Sequence, residues 1–280
     1  MIYKGQFYTI DGKLYTVRIT DKTGNQTTSI TLGGSPFVTQ MDSDSKNIFK
    51  PLKCQSATVT VIADSLYIYA SKAQDVKVEL LDENNNTAWV GYVQPNVYNQ
   101  GFVEDREEIE IECIDALSSL QYIKYSTTKK QVISFLELIK KLLNKCNAYS
   151  QFYISDNIQL KASEDAAILE KLYISEQCFF DEKKDKETDE DVAQTCLDVL
   201  EEVCRFLGVS AVADGDSVYF LDYDAIKNKR NTYYKYSLTQ NLNPQLVTLA
   251  FNKKITWQDH SETGATISLD TVYNKVEVKD

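Results

Sequence analysis

The chain has 280 residues, 43% of them hydrophobic and 25% charged, and a formal net charge of −11. This length predicts two or three domains, each with a core of its own. The negative charge argues against a nucleic-acid-binding surface, which requires clustered lysine and arginine. No apolar run is long enough to span a bilayer, and the N-terminus lacks the basic and apolar regions of a signal peptide. We therefore expect a protein that folds in a cytoplasm.

Six cysteines are scattered along the chain without a CxxC pair. Four of them fall within apolar patterns, where a free thiol behaves as a small hydrophobic group: Cys113, Cys146, Cys196 and Cys204. The spacing predicts buried free thiols in preference to disulfides or metal ligands.

Residues 1–115 consist of short β-strand patterns separated by turns. Residues 2–20 predict a hairpin that turns at Asp11-Gly12. Gly33-Gly34 is expected to stop the next strand, and Ser35–Pro51 is expected to be a loop. The predicted strands are Thr27–Leu32, Ser56–Ala63, Tyr67–Ala70, Val76–Leu81, Ala88–Gln94 and Glu108–Ile114. Short strands at this spacing predict an N-terminal β-barrel or sandwich-like domain.

The pattern changes at Asp115, which is expected to cap a short helix. Thr127 or Thr128 is expected to start a longer helix, whose apolar positions recur at helical spacing as far as Cys146. Strands are predicted at 151–154 and 169–174. The charged stretch 181–191 predicts a loop.

The best-specified unit is a helix followed by a hairpin. Thr188–Asp191 are expected to cap the helix, and Gly208 is expected to end it. The apolar face comprises Val192, Cys196, Val199, Leu200, Val203 and Leu207. Two short strands joined at Asp214-Gly215 follow, and we expect the helix to pack on them. This unit completes a central α+β domain at residues 116–231.

Residues 232–280 are again rich in strand patterns, and Val272–Val278 runs into the last residue. Natural termini are usually frayed, so we expect these residues to be the N-terminal part of a longer polypeptide. The segment is expected to belong to a second tube-like β domain that is incomplete, or to pack with an earlier β domain. The predicted fold class is α+β, mainly β.

No combination of residues predicts catalysis. The single histidine, His260, has no nucleophile and orienting acid at a recognisable spacing, and no phosphate-binding glycine loop is present. Residues 42–45 and 181–191 could hold a metal ion, but a solvated loop explains both. Asp214-Gly215-Asp216 falls at a hairpin tip, where these residue types suit the backbone. We predict no catalytic, cofactor-binding or metal-binding residues.

Three stretches in order carry a family resemblance: AWVGYVQPNVYNQGF (Ala88–Phe102), IEIECIDALSSLQYIKY (Ile109–Tyr125) and DVLEEVCRFLGVSAVADGDSVYFLDYDAI (Asp198–Ile226). Together they resemble the N-terminal region of bacteriophage tail-tip or baseplate hub proteins. These are similar to the hubs of contractile tails and to the N-terminal part of tail-associated lysins.

The resemblance implies a homotrimeric ring at the distal end of a tail tube, in contact with other tail or baseplate proteins. DNA would pass through such a ring without specific binding. A conduit lined by carboxylates repels phosphates, so acidic side chains are expected to line the channel. The candidate lumen-facing residues are Glu104, Asp105, Glu107, Glu108, Glu110 and Glu112. The alternative for each is a solvated outer sheet face.

Two other functional classes remain open. A tail adhesin could stack bacterial surface sugars on Tyr233, Tyr234 and Tyr236, although these also suit a sheet or an interface. A cell-wall hydrolase would need two carboxylates that converge across a cleft, and the sequence identifies no such pair.

Overall fold

The structure is a computed structural model that describes residues 1–22, 26–41, 50–63, 68–95, 106–158, 168–184, 191–240 and 243–250. Strands dominate these residues and the helices are short, so the fold is α+β and mainly β, as the sequence predicts. An eight-stranded sheet near the N-terminus is followed by a six-stranded sheet.

The strands are β1 (Ile2–Tyr8), β2 (Leu14–Asp21), β3 (Thr27–Ser29), β4 (Thr31–Met41), β5 (Leu52–Lys53), β6 (Gln55–Ala63), β7 (Val76–Leu81), β8 (Thr87–Val93), β9 (Glu107–Asp115), β10 (Val132–Ser134), β11 (Gln151–Ser155), β12 (Tyr173–Ser175), β13 (Phe180–Lys184), β14 (Asp191–Ala193), β15 (Ser210–Asp214), β16 (Ser217–Leu221), β17 (Thr232–Ser237) and β18 (Gln245–Thr248). The α-helices are α1 (Phe135–Lys145), α2 (Ile168–Lys171), α3 (Cys196–Leu207) and α4 (Tyr223–Lys227). Two 3-10 helices cover Ser118–Tyr122 and Glu176–Phe179.

The eight-stranded sheet has the order β3-β1-β2-β7-β8-β9-β6-β4 and forms, with its core, the N-terminal module. β1 and β2 make the predicted hairpin, in which Tyr8 pairs with Leu14. Gly12 in the turn has a φ of 79°, which glycine adopts without strain. Val17 and Ile19 are fully buried while the residues between and beside them are partly exposed, so the side chains of β2 alternate between the core and the outer face.

The two ends of this sheet are consecutive in the chain, because only Ile30 separates β3 from β4. β3 pairs with β1, and β4 pairs with β6. The Ile30 amide donates to the Lys4 carbonyl at 2.9 Å, and a Cβ on Gly5 would lie 2.7 Å from the Leu32 side chain. The sheet therefore curls around an apolar core, although its end strands share no ladder in the described part of the chain.

The prediction that Gly33-Gly34 stops a strand is wrong, because β4 continues through both glycines to Met41. The predicted loop beginning at Ser35 is accordingly a strand over its first part. A Cβ on Gly33 would lie 2.6 Å from Cγ2 of Thr60 and 2.8 Å from Oε1 of Glu108. The glycine is needed for close approach of neighbouring strands and not for a turn.

The six-stranded sheet has the order β18-β17-β11-β16-β15-β5 and forms the mixed module together with helices α1 and α3. Val199 and Val203 of α3 share one core with Ala211, Val218 and Phe220 of the β15–β16 hairpin. The predicted packing of the helix on its hairpin is therefore confirmed.

Helix α1 begins later than predicted. Ser134 caps it: its hydroxyl oxygen accepts from the Glu137 amide at 3.2 Å, while the Glu137 carboxylate accepts from the Ser134 amide. This capping box satisfies amides that the first turn leaves free. A start at Thr127 or Thr128 is thus wrong, and Val132 lies in β10, paired with β12.

Helix α3 shows the same displacement. Its capping box joins Thr195 to Asp198, so the predicted cap at Thr188–Asp191 is wrong. Asp191 instead begins β14, which pairs with β13. Gly208 ends the helix at a φ of 68°, and Gly215 in the following turn has a φ of 57°. Both of those predicted glycine roles are confirmed.

Several shorter predictions need correction. The helix after Asp115 is a 3-10 helix, and the Asp115 carboxylate accepts from the Ser118 amide at 2.7 Å. Residues 168–171 form α2, so the strand predicted over 169–174 is confined to β12. The loop predicted over 181–191 begins and ends in paired strands β13 and β14. Residues 68–70 are not in a strand.

The two modules share strand β8. Trp89 and Val93 belong to the core of the N-terminal module, whereas Val90 and Tyr92 belong to the core of the mixed module. The Tyr92 hydroxyl donates to the Cys146 carbonyl at 2.6 Å. A strand that is buried on both faces fixes the two modules relative to one another.

Two further contacts join the modules. β5 pairs with β15 in the six-stranded sheet, and only one residue separates β5 from β6 in the other sheet. The Gln74 amide group donates to the Lys145 carbonyl at 2.8 Å and to the Ser119 hydroxyl at 3.0 Å, and its oxygen accepts from Asn147 at 2.9 Å. Gln74 and Asn147 both have left-handed backbone conformations, with φ values of 65° and 51°.

None of the six cysteines, all of which are among the described residues, forms a disulfide, and the four that were predicted to be buried are buried. The division of the chain at residues 115 and 231 stays a prediction.

The segment 232–280 begins with β17 and β18. β17 pairs with β11 and β18 pairs with β17, within the six-stranded sheet. The predicted strand Val272–Val278 lies outside the described residues.

Candidate functional site

Strand β9 carries three exposed glutamates on one face. Glu108, Glu110 and Glu112 point outward, while the residues that alternate with them are buried in the N-terminal core. Glu107 at the start of the strand is half-buried. Side chains two residues apart on a strand lie roughly 7 Å from one another. The carboxylates therefore form a row of like charge along β9, on one face of the sheet.

The neighbours of this row are hydroxyl and apolar side chains. Glu112 lies opposite Thr58 on β6, and Glu110 lies opposite Thr60. The Glu108 carboxylate accepts from the Gly34 amide at 3.1 Å. Among the described residues, no ion pair includes any of the three glutamates. The side chains directly opposite Glu110 and Glu112 on β6 are therefore uncharged.

A free strand edge adjoins this acidic face. β4 is the last strand of its sheet, and residues 37–41 (FVTQM) pair with β6 on one side only within the described part of the molecule. Val38 lies opposite Thr58, which places it in the same cross-sheet row as Glu112. Natural proteins usually protect such edges with charge, proline or a bulge; β4 has Pro36 and a register shift between Leu32 and Phe37, whereas residues 37–41 contain neither charge nor proline. The edge is therefore suited to pairing with another strand.

A second charged cluster lies in the mixed module around Glu176. Its Oε1 atom accepts from the Tyr125 hydroxyl at 2.5 Å and from the Lys141 ammonium at 2.7 Å. Its Oε2 atom accepts from the Thr127 hydroxyl at 2.8 Å and from the backbone N–H of Gln131 at 3.1 Å. Both oxygens are saturated, so the cluster fits an anchoring role for residues 125–131 and not a reactive carboxylate.

The electrostatics of this cluster agree with that role. Burial of Glu176 would raise its pKa, but the hydrogen bonds from Lys141, Tyr125 and Thr127 outweigh burial and lower the pKa to about 2. The carboxylate is therefore ionised at every pH at which the protein is expected to function.

Several candidate residues from the sequence cannot be assigned a place. Glu104, Asp105, His260 and the polar residues 42–45 lie outside the described residues. The carboxylate of Asp216 accepts from the Ser150 hydroxyl at 2.5 Å, so this side chain connects the hairpin tip to the residue before β11. Within the described ranges, no group of three His, Cys, Asp or Glu side chains could hold a metal ion. No helix among these ranges is long and apolar enough to cross a membrane.

The tyrosines proposed for sugar stacking do not form a platform. Tyr233 and Tyr236 are buried in the mixed module, and Tyr236 stacks on Phe152 with ring centroids 5.0 Å apart. Tyr234 is half-buried. These side chains serve the core, so the adhesin alternative loses the residues on which it was based.

Sequence reasoning missed an apolar groove in the mixed module. This aromatic groove, of about 260 Å³, is lined by Phe135, Tyr173, Ile174, Phe179, Glu202, Val203 and Phe206. Phe206 falls outside the apolar stripe of α3. A large aromatic residue at a solvent-facing helical position was the one sequence feature that could have indicated the groove. The other lining residues come from distant parts of the sequence.

Comparison with known proteins identifies similar solved structures only. No protein-family model and no curated protein sequence matches the chain. A tail protein from Neisseria meningitidis MC58 is 11% identical, with 74% of this chain and 50% of that chain covered and a TM-score of 0.40. The 43 kDa tail protein of prophage MuSo2 from Shewanella oneidensis is 8% identical, with coverage of 74% and 53% and a TM-score of 0.40.

Prophage tail protein gp18 from Listeria monocytogenes EGD-e is 10% identical, with coverage of 73% and 49% and a TM-score of 0.39. The chain thus spans about half the length of the solved tail proteins that it matches. At these TM-scores and identities, the likeness transfers no role to this chain.

Proposed function

We propose that this chain is a structural component of a phage tail. It forms a homotrimeric ring at the distal end of the tail tube and connects the tube to the tail-tip spike, lysin or fibres. It is made and assembled in the cytoplasm of the bacterial host and resides in the tail of the virion. DNA passes through the ring without specific binding, and the chain carries out no catalysis.

The observation that carries this proposal is the pairing of an acidic face with a free strand edge. Glu108, Glu110 and Glu112 form a row of acidic side chains along β9 of a curved sheet, and Glu112 is aligned across the sheet with Thr58 and with Val38 of the edge strand β4. A ring of such sheets that turns this face inward would have a bore that repels DNA phosphates. The uncharged edge supplies a surface through which neighbouring sheets can join.

The connection between the modules supports the same proposal. A ring that transmits contacts from a tube to a tip needs subunits that do not bend at an internal linker. Strand β8 is buried on both faces. Gln74, in the turn before β7, joins the N-terminal module to the end of α1. The sequence resemblance to hub proteins begins at β8 in the N-terminal module and continues through the mixed module, and it implies the same order of β and mixed domains.

Co-sedimentation with tail tubes tests the proposal. Purified chain and purified tubes of the matching phage are mixed and centrifuged, and the pellet is imaged by electron microscopy. We expect the chain in the pellet, as a ring at one end of each tube. A chain that remains in the supernatant at every concentration, or that decorates tubes along their sides, would contradict the proposed role.

A further inference from the structure

The β1–β2 hairpin ends in an apolar knob. This hairpin tip comprises residues 8–13, in which the side chain of Ile10 is 85% exposed and that of Tyr8 is 72% exposed. Turn positions normally carry small or polar residues, so a branched aliphatic side chain there is unusual. A side chain of this kind gains free energy when another surface covers it.

The hairpin tip is held in one conformation. The Thr9 amide donates to the Lys13 carbonyl at 2.9 Å, the Gly12 amide donates to the Thr9 carbonyl at 2.9 Å, and the Lys13 amide donates to the Thr9 hydroxyl at 3.1 Å. Below the tip, Phe7 stacks on Tyr15 with ring centroids 5.9 Å apart. A rigid knob loses little conformational entropy when it binds.

The aromatic groove is the complementary feature. Phe206 is 68% exposed and Tyr173 is 62% exposed at its rim, and the Phe135 ring lies 5.1 Å from the Phe206 ring. Val203 and Phe179 are buried at its base. A groove of about 260 Å³ with these walls accommodates apolar side chains rather than a charged group.

The charges on both surfaces are already paired. Lys13 binds Asp11 at 2.8 Å beside the knob. Arg205 contacts both Glu202 and Glu201 beside the groove. Contact between the two surfaces would therefore bury apolar area without leaving an unpaired charge.

One copy is not arranged to fill its own groove with its own tip. The tip lies near the β7–β8 turn, because β2 begins directly after the tip and pairs with the end of β7, with Thr16 opposite Leu81. The same turn adjoins the β15–β16 turn, where a Cβ on Gly215 would lie 2.5 Å from the Thr87 carbonyl oxygen. Phe206 lies beside the other end of β15, two residues before the end of α3 at Gly208. The knob and the groove are thus at opposite ends of the mixed module's hairpin.

We propose that the hairpin tip of one copy inserts Ile10 and Tyr8 into the aromatic groove of the next copy. This inference rests on the proposed ring and names a contact that closes it. Each copy uses one tip and one groove, which makes the interface head-to-tail, and a head-to-tail interface closes into a ring under rotational symmetry. The occupant of the groove is therefore a second copy of this chain.

Light scattering on the 280-residue chain tests this contact. The variants are Ile10→Asp, which alters the tip, and Phe206→Asp, which alters the groove. Tyr122→Asp is the control, because Tyr122 is also exposed and lies in neither surface. Circular dichroism spectra that match those of the unaltered chain establish that each variant is folded.

We expect the unaltered chain and the control to form trimers, and each of the other two variants to weaken association by about tenfold or more. An equimolar mixture of Ile10→Asp and Phe206→Asp retains one intact tip and one intact groove on different chains. The mixture should therefore give a dimer of twice the 31.9 kDa chain mass and nothing larger.

If both variants form trimers at the same concentrations as the unaltered chain, the tip-and-groove contact is overturned and the proposed ring is left in place. A mixture that stays monomeric, or an unaltered chain that is monomeric at all concentrations, would also overturn the contact. In each case the tail role is judged separately, by co-sedimentation with tubes.

Discussion

Replacement of Glu176 by glutamine should expose how strongly one buried ion cluster stabilises the mixed module. The Glu176 side chain is 7% exposed, and Lys141 donates to it at 2.7 Å. Its pKa falls from 4.5 to about 2 in the folded chain. This difference corresponds to about 3 kcal/mol of stability when the carboxylate is ionised. Because Lys141 is 28% exposed and can be rehydrated, we expect Glu176→Gln to lower the free energy of unfolding by about 2 to 3 kcal/mol at pH 7.

The sign of the pH dependence follows from the lowered pKa. The contribution of Glu176 is complete above its unfolded pKa and is lost as the pH falls from 4.5 towards 2. About 2 kcal/mol of it should be lost by pH 3. The difference in unfolding free energy between the unaltered chain and Glu176→Gln should therefore shrink over this range.

Urea unfolding, followed by circular dichroism at pH 7, 5, 4 and 3, measures this difference. Glu110→Gln is the matched control, since Glu110 is exposed on β9, and the change there should stay within about 0.5 kcal/mol at pH 7. If the difference in unfolding free energy between the unaltered chain and Glu176→Gln stays constant from pH 7 to pH 3, a lowered pKa of Glu176 does not stabilise the folded chain.

Three further substitutions test the packing. Gly91→Ala should lower the melting temperature by about 6 °C or more, because the new Cβ would lie 2.1 Å from the Ile114 carbonyl oxygen, and an unchanged melting curve would contradict this. Gln74→Ala should cost about 1 to 2 kcal/mol and speed amide hydrogen exchange near Lys145, whereas unchanged exchange would argue against a tie between the modules. Thr195→Ala should cost about 1 kcal/mol in urea unfolding while Thr195→Ser should not, and equal losses would show that the cap is not responsible.

The sequence predicted those elements whose determinants are local. The β1–β2 hairpin, the glycines at the end of α3 and in the next turn, and the alternation along β9 each depend on a few neighbouring residues. The predicted start of α3 was wrong because the sequence offers capping residues at two places, Thr188–Asp191 and Thr195. Asp191 pairs with Lys184 in the β13–β14 ladder, so the chain is still extended there and Thr195 caps the helix instead. Pairing between two strands cannot be read from the periodicity of one segment.

Long-range contacts account for the other errors. Glycine is typical of turns, yet Gly33 is needed because Thr60 and Glu108, which are distant in sequence, lie close to its backbone. The aromatic groove combines side chains from α1, β12 and α3, so no single stretch indicates it. Glu108, Glu110 and Glu112 of β9 are exposed on one face because a period of two fixes the face of each side chain, whereas the candidate Glu107 falls on the opposite, core-facing side. Which surface of an assembly they face depends on the neighbouring copies.

A cryo-electron microscopy reconstruction of the chain assembled on tail tubes tests the proposed ring directly. We expect three copies in a ring, with Glu108, Glu110 and Glu112 facing the bore. A ring whose bore is lined by lysines, with these three glutamates on its outer surface, would contradict it.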